Sequence, residues 1–485
     1  MNDRIVVALQ PQVVGPPQFF LLEPSTHHAA SWPLSMELDR LTMLAESAGL
    51  SIEQPLPIEI PDDNSKKKTD DNPMRKFGEA LFESLRAHPA IFSSVVPRLH
   101  LHPDQDEPFY LYFKHRMHEI EQLPWEALFA PDVGFLSQNR DFSMARMVNC
   151  NSTKSEWLFE PPLKIAAVLG AGGDEHEKIE AHKQWEGLKA AIEGGKLPVQ
   201  LKVFTCEIGL RDTINKFAAE PSDTPSWVTA ALIRDRDELF TQIRDFAPHM
   251  LHVFCHGTAD SIPQLQLATY KDWETDAPGS IHIEGDQLKQ NADLDGNIWL
   301  VTLNCCETAV NGPGTGSLSM PVACNLVGAG IPVVVGMRDR ISGEFADRFC
   351  ALFYQCVLEE LRRRLDEAQA KEGSTNVHWA CGLFRVRESM YNRLNSSPEW
   401  TLPVMHTRLK PFQLKINPAH STPQVTQAGM ASAPSEKPGL SARDIHEYGE
   451  ELMQLYEDRK IYAQLGAIVK RIDQRITEIT EALIG

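Results

Sequence analysis

Two short stretches hold residues able to do covalent chemistry together. "HMLHVFCHGTAD", residues 249 to 260, is an apolar run that ends in Cys255, His256 and Gly257. "VTLNCCETAV", residues 301 to 310, is a second apolar run, ending in Cys305 and Cys306. A thiolate is a strong nucleophile, and an adjacent imidazole can take its proton. The same imidazole can then protonate a leaving amine. A glycine next to the histidine presents a backbone N–H with no side chain in the way, which suits an oxyanion hole. One such His or Cys alone is more often a buried structural residue, because free cysteine is a commonly buried type. Two of them at strand tips of one sheet shift the balance towards chemistry.

The elements that must position them form a regular series. From residue 163, fully apolar strands alternate with helices: "LKIAAVLGA", "VQLKVFTCE", "HMLHVFCHG", "NIWLVTLNCCE" and "IPVVVGM" read as strands. Between and after them, "DEHEKIEAHKQWEGLKAAIEGG", "RDRDELFTQIRDFAP", "GSLSMPVACNLVGAG" and "SGEFADRFCALFYQCVLEELRRRLDEAQA" read as helices. This alternation predicts an α/β fold with a mostly parallel sheet covered by helices on both faces. In such sheets functional groups gather at the carboxyl ends of the strands. Neighbours along a strand point to opposite faces, so only one of Cys305 and Cys306 can face His256.

Upstream, "RIVVAL" and "QFFLLE" read as strands, "MELDRLTMLAESAG" as a helix, and "PDDNSKKKTDDNP" as a polar surface loop. Residues 76–96 carry a helical apolar spacing, and "FYLYFKHRM" reads as a strand. Residues 413–440 are rich in Pro, Ser, Thr, Gln and Ala and read as a linker. Beyond it, Ile461, Leu465, Ile468, Ile472, Ile476, Ile479 and Leu483 step by four and three, an apolar stripe that must bury itself against something.

Composition removes several function classes. The chain has 485 residues and a formal net charge of −19, from 47 basic against 66 acidic residues. That balance argues against direct nucleic-acid binding, which needs a basic face. No apolar run reaches the ~18 residues of a membrane helix, and the N-terminus has no cleavage-site pattern, so a cytoplasmic protein is expected. Nine cysteines without framework spacing fit a reducing compartment. His100 and His102 lie two apart without further ligands, and no metal or cofactor is expected. "VLGAGGDE" lacks the full phosphate-loop spacing and reads as the first strand-to-helix turn.

Caspases place the catalytic His about fifty residues before the Cys, and here 306 − 256 = 50, although the caspase sequence around the Cys is absent. The chain resembles the CHAT-domain proteins, caspase-like cysteine peptidases of the group that also holds separases and gingipains. The resemblance is carried by "HVFCHG", by "LNCCETA", by the block "SLSMPVACNLVGAGIPVVVGMRDRISGEFADRFCALFY" and by "LPWEALFAPDVGFLSQ", with "FGEALFESL" before it and "EWTLPVMHTRL" as the closing strand. It implies a caspase-like core with His256 and Cys306 as a catalytic dyad. Cys305 stands where the family has a small residue, and Glu307 and Thr308 fix the loop. Gly257 is expected in the oxyanion hole, and Asp339 and Asp260 are candidates for a pocket favouring a basic side chain.

The expected organisation is an N-terminal α+β extension with a polar linker (1–75), the N-terminal part of the CHAT region (76–160), the peptidase core (161–412), a flexible linker (413–440) and a C-terminal helical hairpin or coiled-coil-like docking segment (441–485). The expected function is a cysteine endopeptidase acting on a protein substrate. The family's setting suggests an effector in prokaryotic defence or regulated proteolysis, switched on by a sensor partner, with self-association through the C-terminal helices. The competing expectations are a silent peptidase-fold scaffold and an acyl- or amide-transfer enzyme using the same dyad.

Overall fold

The structure, a computed structural model, describes residues 5–10, 18–22, 31–33, 38–48, 72–86, 109–113 and, with short gaps, 121–416. The chain divides into two units, Met1–Ser421 and Thr422–Gly485. The apolar stripe from Ile461 to Leu483, the pair His100 and His102, and Asp260 all lie outside the described residues.

The strands in chain order are β1 (Ile5–Gln10), β2 (Gln18–Leu22), β3 (Ser31–Pro33), β4 (Phe109–Phe113), β5 (Phe129–Ala130), β6 (Gly134–Phe135), β7 (Met144–Val148), β8 (Glu156–Phe159), β9 (Leu163–Leu169) and β10 (Val199–Thr205). They continue as β11 (Val228–Leu232), β12 (Met250–Phe254), β13 (His256–Thr258), β14 (Gln264–Leu267), β15 (Ile281–Glu284), β16 (Leu300–Leu303), β17 (Val333–Met337), β18 (Ser374–Asn376), β19 (Pro403–Arg408) and β20 (Gln413–Ile416). Twelve of them form one sheet, in the order β11-β10-β9-β12-β16-β17-β19-β7-β4-β1-β2-β3. From β11 to β17 every pairing is parallel. β19 then runs antiparallel to β17. The mostly parallel α/β architecture expected from the sequence is the one observed.

The central strands are apolar at nearly every position because both faces are covered. Along β9, Leu163, Ile165, Ala167 and Leu169 belong to one core cluster, while Ala166 and Val168 belong to the other. The first core lies beneath the helices His182–Gly195 and Gly343–Ala370, with Trp185, Leu188, Phe345, Phe349 and Phe353 buried in it. The second lies beneath the helices Arg236–Phe246, Gly285–Ala292 and Val322–Gly328. Asp235 starts the first of these three by accepting the Glu238 N–H at 2.8 Å, which satisfies one of the helix's orphan donors.

Three features differ from the expected layout. The N-terminal strands do not form a separate extension, since β1 pairs in parallel with β4 and extends the main sheet. The helix Ile208–Ala218 and β11 were not legible. β11 is the sheet's edge strand, and its half-exposed face dilutes the apolar run. Residues 413–416, expected as the start of the linker, form β20 between β18 and β8. Leu414 is its buried anchor, and a four-residue strand with a single buried apolar residue leaves no periodic signal.

The "PWE" segment enters the fold as a buried ion pair. Glu126 and Arg146 are joined by two bonds, Nε to Oε1 at 3.0 Å and Nη2 to Oε2 at 2.7 Å. Their side chains are 1 % and 5 % exposed. Burial raises the Glu126 carboxyl, but the charge and hydrogen bonds of Arg146, with Arg387 behind it, outweigh this and hold it below the ordinary range. Burial lowers Arg387 to about 10, and Glu126 opposes that. Replacing only one member strands a buried charge, so Glu126→Gln is expected to cost ~3–5 kcal/mol in urea unfolding. The depressed carboxyl contributes stability above its unfolded value of ~4.3 and loses it as pH falls through the lower folded value. The stability gap between the wild type and Glu126→Gln therefore narrows on acidification below pH ~4.3.

Candidate active site

β12 and β16 lie side by side in parallel, with Met250 opposite Leu300 and Val253 opposite Leu303. Both chains thus leave the sheet at the same edge. After β12 the chain turns at Cys255 and enters β13, the first strand of the small sheet β13-β14-β15. After β16 it enters a turn through Cys305 to Ala309. Gly257 lies against this turn: a Cβ there would collide with the Cys306 carbonyl oxygen, and would also come within 3.2 Å of its carbon and 3.3 Å of its nitrogen. Only glycine permits that approach, and it places His256 and Cys306 on adjoining stretches of backbone.

Alternation separates the two cysteines. Val301, Leu303 and Cys305 all belong to the second core, and Cys305 is 1 % exposed. The Cys305 thiol donates to the Val253 carbonyl at 3.3 Å and lies 3.4 Å from the sulfur of Cys255, both thiols being free. Cys306 is only partly buried. The Ile341 N–H approaches its sulfur at 3.5 Å. Burial raises the Cys306 thiol above its ordinary range, and the neighbouring Cys305 and Glu307 push the same way. The Ile341 N–H and Arg340 work against this without overcoming it. In this structure Cys306 is a neutral thiol at neutral pH.

His256 is oriented by backbone. Its Nε2 donates to the carbonyl of Gly172, in the turn after β9. A carbonyl can only accept, so Nε2 carries a proton, and the neutral tautomer compatible with this bond has its lone pair on Nδ1. Gly172 must approach closely to serve, since a Cβ on it would sit 2.5 Å from the Ala268 Cβ. Sequence spacing offered no third member for the pair. A backbone carbonyl has no residue-type signature, although the glycines of "VLGAGG" marked the turn that supplies it.

The turn is stitched to the loop that follows β17. Thr308 accepts the Met337 N–H at 3.0 Å and donates to the Cys305 carbonyl at 3.1 Å. Glu307 donates its N–H to the Asp339 carbonyl at 3.3 Å, and its carboxylate lies 3.5 Å from Arg340. Glu307 is held at φ 56°, a left-handed conformation unusual for a residue with a side chain. Asp339 is half-buried, and burial raises its carboxyl although the Arg340 N–H, accepted at 2.7 Å, works against this. It is therefore beside the turn that carries Cys306.

A buried polar group not flagged by sequence supports the turn from the first core. Asn304 donates to Gln184 at 3.1 Å and to the Ala346 carbonyl at 2.9 Å. Gln184 donates to Asp347 at 2.8 Å and lies 3.3 Å from Nε2 of His252. Burial pushes His252 down to about 3, so it stays neutral. Gln184 is fully buried, and packing alone reveals it.

The family model of the CHAT domain matches residues 75–376, more than half of the chain. The chain belongs to the CHAT domain family. The resemblance carried by the His256 and Cys306 stretches is thereby borne out. Among solved structures, the CHAT chain is similar to the separase of the Saccharomyces cerevisiae separase–securin complex, with a TM-score of 0.39, 10% identity, and coverage of 86% of this chain and 30% of that one. It is similar to gingipain R, an Arg-specific cysteine proteinase, with a TM-score of 0.38, 10% identity, and coverage of 68% and 70%. The Porphyromonas gingivalis complex of RgpB pro- and mature domains gives a TM-score of 0.36, 10% identity, and coverage of 68% and 72%. The chain thus spans about 30% of the separase chain. No curated protein matches it significantly. Among the described residues there is no metal-binding cluster, and no helix is long and apolar enough to cross a membrane.

Two outcomes follow for this CHAT site. Gly257→Ala must push the Cys306 turn away, at a cost of ~1–3 kcal/mol, and is expected to slow alkylation of Cys306 relative to wild type in mass-spectrometric labelling. In the wild-type protein alone, iodoacetamide should modify Cys306 more slowly at pH 7.5 than it does free cysteine. The rate should keep climbing with pH beyond ~8.5, the ordinary thiol value, because only the thiolate reacts. A plateau below that pH would contradict the raised thiol.

Proposed function

We propose that this CHAT protein is a cysteine endopeptidase whose nucleophile is Cys306 and whose general base and acid is His256. The observation that carries the reading is the seating of Gly257 against the Cys306 backbone. It sets the histidine and the solvent-reachable thiol on adjoining chain exits. The bond from His256 Nε2 to Gly172 supports the same reading, because it leaves Nδ1 as the nitrogen able to accept a proton. Cys306 gives its proton to Nδ1 and its sulfur attacks the scissile carbonyl. Backbone donors including the Gly257 N–H hold the oxyanion. The imidazolium then protonates the departing amine, and water releases the acyl group from sulfur. In this reading Asp339 and Asp260 favour a basic residue before the cut.

The raised Cys306 thiol must give up its proton to His256 before its sulfur can attack. We place activation of the enzyme with a protein partner that reshapes the loop from Arg338 to Ile341, in a cytoplasmic defence or regulated-proteolysis setting, with the C-terminal segment 441–485 as the docking or self-association element.

The test is covalent labelling with a peptidyl acyloxymethyl ketone, with cleavage of a peptide library run beside it. Cys306→Ala should abolish both signals and Cys305→Ala should retain both. His256→Ala should reduce cleavage ~10²–10⁴-fold. Asp339→Asn should weaken any preference for a basic residue before the cut. Loss of labelling only in Cys305→Ala would reverse the assignment of the two thiols. Absence of labelling and cleavage in every condition, candidate partners included, would favour a silent scaffold.

A further inference from the structure

At the far end of the sheet from Cys306 there is a small pocket with an unusual lining. β19 runs antiparallel to β17, with Met337 opposite Pro403 and Val333 opposite Thr407. The Pro403 end of β19 is therefore near the thiol, and the Arg408 end lies at the opposite edge. There His378, Trp379, Thr407, Arg408, Lys410 and Phe412 help to line a narrow pocket that opens to solvent.

Two of these residues bury donors that no described residue satisfies. Arg408 is 1 % exposed, and its Nε and Nη2 have no hydrogen-bond partner among the described residues. Trp379 is 4 % exposed, and its indole Nε1 has none either. A guanidinium and an indole N–H are donors only. A buried donor left alone costs ~1–3 kcal/mol, more when charged, so two on one pocket call for an acceptor.

The charges around the pocket point the same way. Among the described residues no carboxylate pairs with Arg408; its neighbours are Ser152, reached by Nη1 at 3.3 Å, and the ring of Trp157, 4.7 Å from Cζ. Burial lowers Arg408 below its ordinary range, and Cys150 nearby works the other way without overcoming it. Lys154, over the same Trp157 ring, is lowered by burial and by the charge of Arg408. Lys410 adds an ammonium to the lining. A chain of net charge −19 thus gathers cations here without a carboxylate against Arg408.

We propose that this pocket is an oxyanion site that takes the phosphate group of a small ligand, with Arg408 and Trp379 as the inner donors and Lys410 at the mouth. Phosphate has several acceptor oxygens in a geometry the guanidinium fork matches, and its charge answers two cations. The group can arrive as free phosphate or on a nucleoside monophosphate. The site is independent of the peptidase reading.

The experiment uses the full chain, titrated calorimetrically and by thermal unfolding with potassium phosphate against potassium chloride at equal ionic strength. Phosphate should bind saturably and raise the Tm by mass action. Lys410→Gln should weaken binding about tenfold, the loss of one charged hydrogen bond. Arg408→Gln should abolish it; if that variant does not fold, Lys410→Gln decides. Adenosine 5′-monophosphate binding much more tightly than phosphate would identify a nucleotide, and equal affinity would identify the free ion. Cys306→Ala should bind like wild type, which separates this site from catalysis. No effect beyond chloride, or unchanged binding in Lys410→Gln, would overturn the proposal.

Discussion

The arrangement depends on one close approach: the Cα of Gly257 against the backbone of Cys306. Parallel pairing of β12 with β16 brings two chains out at one edge in register, but register alone leaves the following segments free to diverge. The absence of a Cβ at 257 lets β13 fold back over the Cys306 turn. The turn is then fixed from its other side by Thr308 and by backbone bonds to the loop after β17. Three successive strands thus hold one thiol, and each contributes backbone rather than a reactive side chain.

Burial has opposite consequences in different parts of the molecule. At Glu126 a partner arginine outweighs the cost of burial and keeps the carboxylate charged. At Cys306 the charge of Arg340 does not outweigh burial, and the thiol stays neutral. His252, a few residues from His256 in sequence, is fully buried and neutral, and it belongs to the polar group under the helices Gly343–Ala370 and His182–Gly195. Two histidines of one segment, 252 and 256, therefore have different roles because only one leaves the sheet. Arg408, buried without a carboxylate against it among the described residues, is the reverse case of Glu126.

Much of the core was legible because a parallel sheet buries both faces of its strands. The runs at 163–169, 250–254, 300–303 and 333–337 are apolar at nearly every position, and helices had to lie between them. Edge and satellite strands were not legible for the complementary reason. β11 is half exposed, and β20 buries chiefly Leu414, so neither has a periodic apolar signal. The joining of the N-terminal strands to the main sheet was also hidden, since β1 meets β4 from about a hundred residues away in sequence.

The sequence by itself determined the fold class, the family and the two chain segments able to do chemistry, because apolar patterning and residue type are local properties. It also made Cys305 and Cys306 unequal, through the strict alternation of a strand. What only the tertiary structure decided was which groups surround them: the Gly172 carbonyl that orients His256, the Gln184 and Asn304 bonds beneath the turn, and the burial that keeps the Cys306 thiol protonated. Those depend on distances between residues 35 to 120 positions apart. Packing sets such distances, and no local pattern records them.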